Sequence, residues 1–227
     1  MEILNVKNVK KYYGKNDNLV KALDDVSFQI EKGRFVAIVG QSGSGKSTLL
    51  NMIGGLDKPT SGSIVINGKD ISALSSKKQT EFRRKNIGFI FQNYSLMPEL
   101  CVYDNVALPV SMDLHQKADH DYIKSILTNL GIWDKRKKLP HELSGGQQQR
   151  TAIARALVNK PAIILADEPT GNLDSKTTMD VMELLKKSSR EYEQTIIMVT
   201  HNDLLAESCD DILSILDGKL EKKEKIK

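Results

Sequence analysis

The segment that decides the fold joins an apolar run to a glycine-rich loop and a helix. Residues 35–39 are all apolar, which is typical of a strand buried on both faces of a parallel sheet. The loop that follows contains the pattern G-x-x-x-x-G-K-[ST] and reads Gly40-Gln41-Ser42-Gly43-Ser44-Gly45-Lys46-Ser47-Thr48. A helical pattern runs from Lys46 to Ile53. A strand, a glycine-rich loop and a helix in this order predict a loop that binds the phosphates of a nucleotide.

The residue types of this loop suit phosphate chemistry. Glycine lets the backbone approach phosphate oxygens without a clash from Cβ atoms. The amide hydrogens of the loop and of the first helical turn form a positively polarised cradle. We expect Lys46 to add a point charge, with a catalytic role, at the outer phosphates. We expect the Ser47 hydroxyl to help hold Mg²⁺.

A second buried run, Ile163 to Ala166, ends in two acidic residues. Acids at the end of an apolar strand are costly unless a cation meets them. We expect Asp167 to reach Mg²⁺ as the second half of the metal site. Successive strand residues point to opposite sides, so we expect Glu168 to act separately, as the general base that polarises the attacking water. The alternative is an acidic cap on a following helix.

Two further polar residues follow buried runs in the same way. His201 comes directly after the run 195–200, and we expect it to donate to the γ-phosphate or to hold Glu168 and water in line. Gln92 comes after the run 87–91 and offers a neutral amide that senses metal and water. The remaining histidines lack this context and are interpreted as surface residues: His115, His120 and His141.

The alternation of buried strands and helices indicates an α/β protein of the P-loop NTPase class with a parallel core sheet. Short alternating runs at 3–9 and 26–30 predict an antiparallel β edge subdomain. Turn signals at Asn67-Gly68 and Asp217-Gly218 predict two hairpins.

The segment from Pro98 to Pro140 departs from the alternation of buried strands and helices, because it shows helical spacing and no buried strand. We expect one domain over 1–227. In it, 1–97 and 141–227 form the core with the antiparallel sheet, and 98–140 form an α-helical subdomain.

Composition narrows the function classes. Of the 227 residues 40% are apolar, so the chain can bury a core and wholesale disorder is excluded. The apolar runs are far shorter than the ~20 residues that span a bilayer, and the two cysteines do not suit a disulfide framework. The net charge of +4 comes from interspersed charges of both signs, and the tail 221–227 is interpreted as a solvated terminus rather than a nucleic-acid site. We expect an intracellular protein without a nucleic-acid partner.

A second stretch has the features of a phosphate-binding helix end. Residues 143–150 begin with Leu143-Ser144-Gly145-Gly146-Gln147, a serine cap and two glycines before a helix. There is no second lysine loop and no second pair of acids to complete this half-site. One complete site and one half-site predict a homodimer in which each serine-capped helix closes the partner's nucleotide. The alternative is an ordinary capped helix.

These residues resemble the nucleotide-binding subunits of ATP-binding-cassette (ABC) transporters over nearly the whole chain. The Walker A loop at 40–48, the signature at 143–147 and the Walker B strand at 163–168 occur in the family's order. The resemblance implies that Gln92 is the Q-loop residue, His201 the switch histidine and Leu173-Asp174 part of the D-loop. It implies ATP with Mg²⁺, sandwiched between two subunits, with Ser144 and Gly146 reaching the opposite γ-phosphate.

The resemblance also implies an aromatic residue that stacks on adenine. Tyr13 is similar in position to that residue, with the neighbouring Tyr12 as the competing assignment.

Within the family, three stretches are similar to the branch of lipoprotein-releasing, macrolide-export and antimicrobial-peptide-resistance transporters: 54–57, 147–149 and 165–174. The branch implies an ATPase that drives an integral membrane permease and lies peripherally on the cytoplasmic face of the membrane through it. Gly171-Asn172 departs from the commoner Ser-Ala of the wider family's D-loop. The alternative function is a soluble assembly ATPase of the same fold without a permease.

A permease needs a docking surface on this chain. Residues 93–100, just after Gln92, are apolar around a proline and are interpreted as a groove for a short permease helix. The alternative is local core of the helical insert.

Overall fold

The computed structural model describes residues 1–112 and 117–225. Its strands are β1 (Glu2–Tyr13), β2 (Val20–Glu31), β3 (Phe35–Val39), β4 (Ser61–Ile66), β5 (Lys69–Asp70), β6 (Ile87–Phe91), β7 (Ile163–Asp167), β8 (Thr195–Val199), β9 (Asp211–Leu216) and β10 (Lys219–Lys225). Its α-helices are α1 (Lys46–Ile53), α2 (Ser76–Asn86), α3 (Val102–Ser111), α4 (His120–Asn129), α5 (Gly145–Leu157), α6 (Ser175–Glu191) and α7 (Asp203–Glu207).

The core sheet has the order β10-β9-β3-β8-β7-β6. All neighbours from β9 to β6 pair in parallel, and β10 is antiparallel to β9. Asp167 at the end of β7 lies opposite Phe91 of β6 and Val199 of β8. The parallel register therefore brings the carboxyl ends of these strands, and of β3 beside β8, to one edge of the sheet. The predicted α/β class with a parallel core is confirmed.

A second sheet, with the order β2-β1-β4-β5, is wholly antiparallel. Val26, Phe28 and Ile30 alternate with exposed residues along β2 and are buried. They join a core that includes Val36 of the parallel sheet and Leu49 of α1. The antiparallel sheet thus covers one face of α1 and of the core sheet. Its first two strands are longer than the predicted runs because they extend as a ribbon beyond the buried alternation.

Both predicted hairpins are present. Asn67 and Gly68 have φ of 49° and 75°, and Asp217 and Gly218 have φ of 47° and 74°. Two successive residues at positive φ are what a tight hairpin turn between twisted strands requires. The second hairpin leads into β10, so the described part of the tail predicted to be solvated, 221–225, belongs to an edge strand, and residues 221–223 are exposed in it. Residues 226 and 227 lie outside the described residues.

Between β6 and β7 the described residues form α3, α4, short 3₁₀ turns and α5, without a strand. Val106, Ile123 and Ile153 are fully buried and lie in one core on the opposite face of the parallel sheet. Helix α2 was missed in the sequence because Gln79 and Phe82 are its only buried residues. Among the described residues, no helix combines the length and apolar character needed to cross a bilayer.

Candidate nucleotide-binding and catalytic site

A cavity of about 620 Å³ lies at the carboxyl edge of the parallel sheet. One end is lined by Val20, Lys21 and Ala22 of β2, and the middle by the glycine-rich loop and the start of α1. Glu168 and His201 line the other end. The cavity thus connects three parts of the chain at the edge where ligands bind in parallel α/β sheets.

The loop from Gly40 to Gly45 has backbone geometry suited to phosphate. Gly45 has φ of 106°, and a Cβ there would lie 2.3 Å from the carbonyl oxygen of Ala22. Only glycine fits this position without displacing the antiparallel sheet. The hydroxyl of Ser44 is buried and has no hydrogen-bond partner among the described residues. An orphaned buried hydroxyl inside a loop of exposed amides is a donor that a phosphate oxygen would satisfy.

Lys46 is the buried cation of this loop. Its Nζ donates to the carbonyl oxygens of Gly40 at 2.8 Å and of Gln41 at 2.7 Å. These two bonds hold the ammonium group over the loop. Lys46 is therefore positioned to meet the outer phosphates of a nucleotide seated in the cradle.

The candidate metal ligands lie at the first turn of α1 and the end of β7. Ser47 Oγ donates to Asp167 Oδ1 at 3.4 Å. Burial raises the pKa of Asp167, and the charge of Glu168 raises it further, while Ser47 and Lys46 oppose the shift. A cation would offset this cost of ionisation. Hydroxyl and carboxylate oxygens are ligands that Mg²⁺ prefers, so the donor set fits it.

Glu168 and His201 are in contact. Glu168 has φ of 44°, unusual for a side chain with a Cβ, and its N–H donates to the carbonyl oxygen of Val199 at 3.0 Å. This backbone turns the carboxylate away from the strand direction. Its Oε1 lies 3.0 Å from Nδ1 of His201. The pair forms a polar bridge between the ends of β7 and β8 beside the cavity.

Gln92 follows β6 and is exposed, and it does not line the cavity. Its side chain lies against Asn172, in the turn between β7 and α6. The cap of α6 is Asp174, whose carboxylate accepts from the N–H of Thr177 at 3.0 Å. The alternative reading of Asp167 and Glu168 as a helix cap is therefore wrong.

The serine-capped helix is a separate element of the same chain. Ser144 Oγ accepts from the N–H of Gln147, and Gln147 Oε1 accepts from the N–H of Ser144 at 3.1 Å. Ser144 is exposed, and neither it nor Gly145, Gly146 or Gln147 lines the cavity. The two predicted phosphate-binding ends therefore lie apart, because the second does not line the cavity formed by the first.

The two candidate adenine-stacking tyrosines have different partners. Tyr13 lies opposite Val20, a cavity residue, and its hydroxyl donates to Asp57 Oδ2 at 2.7 Å. Burial and Asp57 raise the pKa of Tyr13, and Thr48 of α1, which lines the cavity, opposes the shift. Tyr12 instead donates to Asp24. Tyr13 is therefore the tyrosine whose neighbours line the cavity.

The three histidines that do not follow a buried run lie outside the cavity or outside the described residues. His141 is exposed, and His120 contacts the hydroxyl of Tyr103 at 3.1 Å. His115 lies outside the described residues.

A second cavity of about 620 Å³, here called the lateral groove, lies beside the predicted docking segment. Its apolar walls include Leu56, Phe89, Leu108 and Met112, and its cationic residues are Arg83, Arg84 and Arg155. Of the predicted segment 93–100 only Ser95 lines it, and the docking role of that segment stays a prediction. The walls come from elements far apart in sequence, which no local pattern reveals.

Arg155 joins this groove to the chain that follows Gln92. It is largely buried and donates to the carbonyl oxygens of Tyr94 and Ser95, two residues at positive φ. Burial lowers the pKa of Arg155. The hydroxyl of Tyr94 in turn lies 2.9 Å from where a Cβ on Gly145 would be.

Comparison with known proteins gives the family. The sequence profile described as "ABC transporter" matches residues 23–171. The chain is 43% identical over 97% of its length to the bacitracin export ATP-binding protein BceA of Halalkalibacterium halodurans, covering 87% of that protein. It is 44% identical over 96% of its length to the lipoprotein-releasing system ATP-binding protein LolD of Rickettsia bellii, covering 97% of it.

A third relative is longer. The chain is 48% identical over 97% of its length to the macrolide export ATP-binding/permease protein MacB of Aggregatibacter actinomycetemcomitans, and it spans 34% of that protein.

The fold agrees with solved ATP-binding cassettes. The post-hydrolysis dimer of the cassette MJ0796, bound to ADP and Pi, matches with a TM-score of 0.89 and 41% identity over 99% of both chains. CbiO1 from Clostridium perfringens matches with a TM-score of 0.88 and 30% identity, over 99% of this chain and 89% of that one. The chain belongs to the ABC transporter family. It is an ATP-binding cassette of that family, and its enzyme class is ATPase.

We predict that Asp167→Asn raises the free energy of unfolding at neutral pH in a chelating buffer. Folding raises the pKa of Asp167, so ionisation of this residue lowers the stability of the folded state. The loss of stability is absent below the pKa of the unfolded state and grows as the pH rises through the pKa of the folded state. Thermal denaturation at several pH values measures the difference, which should shrink on acidification.

The control for this variant is Asp174→Asn. Hydrogen bonds from Thr177 lower the pKa of Asp174, so removing its charge should lower stability at neutral pH. Equal losses of stability in both variants would contradict the cost assigned to Asp167.

Proposed function

We propose that two copies of this ATPase close around two ATP molecules and that closure and hydrolysis move an integral membrane permease. Each ATP lies between the phosphate loop of one copy and the Ser144 helix of the other. The observation that carries the proposal is that the Ser144 helix end does not line the cavity of its own chain. Solved dimers of a cassette 41% and 42% identical to this chain support the pairing.

The phosphate loop binds the triphosphate. The backbone amides of 40–48 and the Ser44 hydroxyl donate to phosphate oxygens, and Lys46 neutralises the outer phosphates. Ser47, Asp167 and Gln92 would hold Mg²⁺, and the ion would supply charge compensation for the outer phosphates.

Glu168 acts as the general base. A water attacks the γ-phosphorus, the bond from this phosphorus to the β–γ bridging oxygen breaks, and Glu168 takes a proton from the water as phosphate and ADP form. His201, 3.0 Å from Glu168, keeps the carboxylate aimed at the water and donates to the γ-phosphate.

The remaining groups define the two ends of the nucleotide. Tyr13 stacks on adenine, held in place through Asp57. At the other end, the partner copy contributes Ser144, Gly145, Gly146 and Gln147, whose exposed amides and serine hydroxyl meet the γ-phosphate.

The chain divides into two parts that serve these ends. The segments 1–97 and 141–227 form the nucleotide-binding core with the antiparallel sheet, and 98–140 form the helical subdomain beside the Ser144 helix. Packing of α3 and α4 against α5 supports a position of the helical subdomain beside the Ser144 helix.

The permease docks in the lateral groove. Its apolar walls and three arginines fit a short helix with an apolar face and acidic side chains. The names of the relatives support transport: BceA is named for bacitracin export and LolD for lipoprotein release, and MacB is named as an ATP-binding/permease protein. We place the chain on the cytoplasmic face of the membrane, bound through its permease, and without a nucleic-acid partner.

We predict that Glu168→Gln abolishes hydrolysis, with a loss of at least about 100-fold, and preserves ATP binding. Glutamine keeps the size of the side chain but does not take the proton, so ATP should trap a dimer. Phosphate release and size-exclusion chromatography with ATP measure the two effects. Glu207→Gln, at an exposed residue of α7, is the control. A Glu168→Gln protein that turned over at the normal rate would remove this residue from the role of base.

We predict that Ser144→Arg abolishes hydrolysis while the monomer still binds ATP, because the bulky cation blocks only the partner's γ-phosphate. ATP binding is measured on dilute monomer, and hydrolysis is followed against protein concentration. Ser125→Arg, an exposed serine on α4, is the control. Full-rate hydrolysis by strictly monomeric wild type would disprove the shared site.

We predict that Met112→Asp releases the chain from membranes and leaves its own ATP binding intact. Met112 lines the groove and is 64% exposed, so the change disrupts docking rather than folding. Met179→Asp is the matched control, because that methionine is 63% exposed and lies outside the groove.

The measurement is the fraction of each variant that sediments with membranes and co-purifies with an integral membrane protein after detergent extraction. Equal behaviour of the two variants would favour the alternative, an assembly ATPase without a permease.

A further inference from the structure

The turn between β7 and α6 makes a specific contact with Gln92. Asn172 Nδ2 donates to the main-chain carbonyl oxygen of Gln92 at 2.9 Å. Gln92 Nε2 donates to Asn172 Oδ1 at 3.5 Å. Two residues 80 positions apart thus share a pair of hydrogen bonds. Both hydrogen bonds that the described residues give the Asn172 side chain go to Gln92.

Gly171 leaves room for this contact. A Cβ on Gly171 would lie 2.7 Å from Gln92 Nε2 and 3.1 Å from its Cδ. The backbone of Gly171 is not at positive φ, so its conformation does not require glycine. A methyl group at this position would displace the amide end of the Gln92 side chain.

The hydrogen bonds fix the orientation of both amide groups. The main-chain carbonyl oxygen of Gln92 can only accept hydrogen bonds, so the Asn172 amide must turn its donor, Nδ2, toward that oxygen. Its Oδ1 then faces Gln92 and accepts only, so Gln92 must turn Nε2 toward Asn172. The carbonyl end of the Gln92 amide, Oε1, therefore points away from Asn172. It is the oxygen, not the nitrogen, that binds a metal ion.

We propose that Asn172 is a positioning residue for Gln92: it orients the glutamine amide so that Oε1 is presented to the metal and to water, and Gly171 provides the space. This inference rests on the metal-binding role proposed for Gln92. Asn172 does not cap the following helix, because Asp174 does. Its side chain thus has no local structural task that competes with this one.

The test measures metal affinity in a complex that does not turn over. Mn²⁺ binding to the chain with a non-hydrolysable ATP analogue is followed by electron paramagnetic resonance. Asn172→Ala should weaken Mn²⁺ by about tenfold, the lower end for loss of a group that orients a metal ligand. Gly171→Ala should do the same by displacing Gln92. Analogue affinity without metal should stay at the wild-type value.

Two comparisons separate positioning from a general structural effect. Asn93→Ala, which removes a neighbouring amide that accepts from Ser95 Oγ at 2.7 Å, should bind Mn²⁺ as wild type does. The double variant Gln92→Ala/Asn172→Ala should bind Mn²⁺ no more weakly than Gln92→Ala alone, because Asn172 acts only through Gln92. In steady-state assays Asn172→Ala should lower kcat and leave the KM for ATP unchanged.

The outcomes distinguish this inference from its premise. If Gln92→Ala weakens Mn²⁺ and Asn172→Ala does not, the positioning role is wrong and the proposed metal site stands. If the two effects add in the double variant, Asn172 acts independently of Gln92 and the inference is overturned. If Gln92→Ala leaves Mn²⁺ affinity unchanged, the metal-binding role of Gln92 fails and the inference fails with it.

Discussion

The constraint on which the rest depends is that parallel strands deliver their carboxyl ends to one edge of the sheet. The chain leaves β3, β6, β7 and β8 there, and each exit carries a polar group: the glycine-rich loop, Gln92, the two acids and His201. The strands themselves are apolar because both faces of the sheet are buried. The polar groups therefore lie after the strand ends, at the edge where neighbouring strands bring them together. The antiparallel sheet then closes one side of the resulting cavity through Ala22 and Gly45.

Charge at this edge is balanced between loop and strand. Lys46 is buried over the loop carbonyls, and burial together with the charge of Glu168 raises the pKa of Asp167. Such a pair of opposite charges suits a ligand that carries both signs, phosphate oxygens toward the lysine and a cation toward the acid.

Much of this arrangement could be predicted from local patterns. The bounds of β3, α1 and β6 agree with the sequence expectation, since continuous apolar runs and the glycine-rich loop mark them. Helix α2 could not be predicted, because only Gln79 and Phe82 are buried on it. The lateral groove and the contact between Gln92 and Asn172 were also missed, since each joins segments distant in sequence and depends on tertiary packing.

The hydrogen bonds from Arg155 to Tyr94 and Ser95 join the segment after β6 to α5. The guanidinium group belongs to α5, which starts at Gly145, and the Tyr94 hydroxyl rests against that same glycine. The segment after β6 therefore contacts α5 near both ends of the helix, at Arg155 and at Gly145. A displacement of the segment after β6 would therefore be transmitted to both ends of α5, including the end that carries the serine cap.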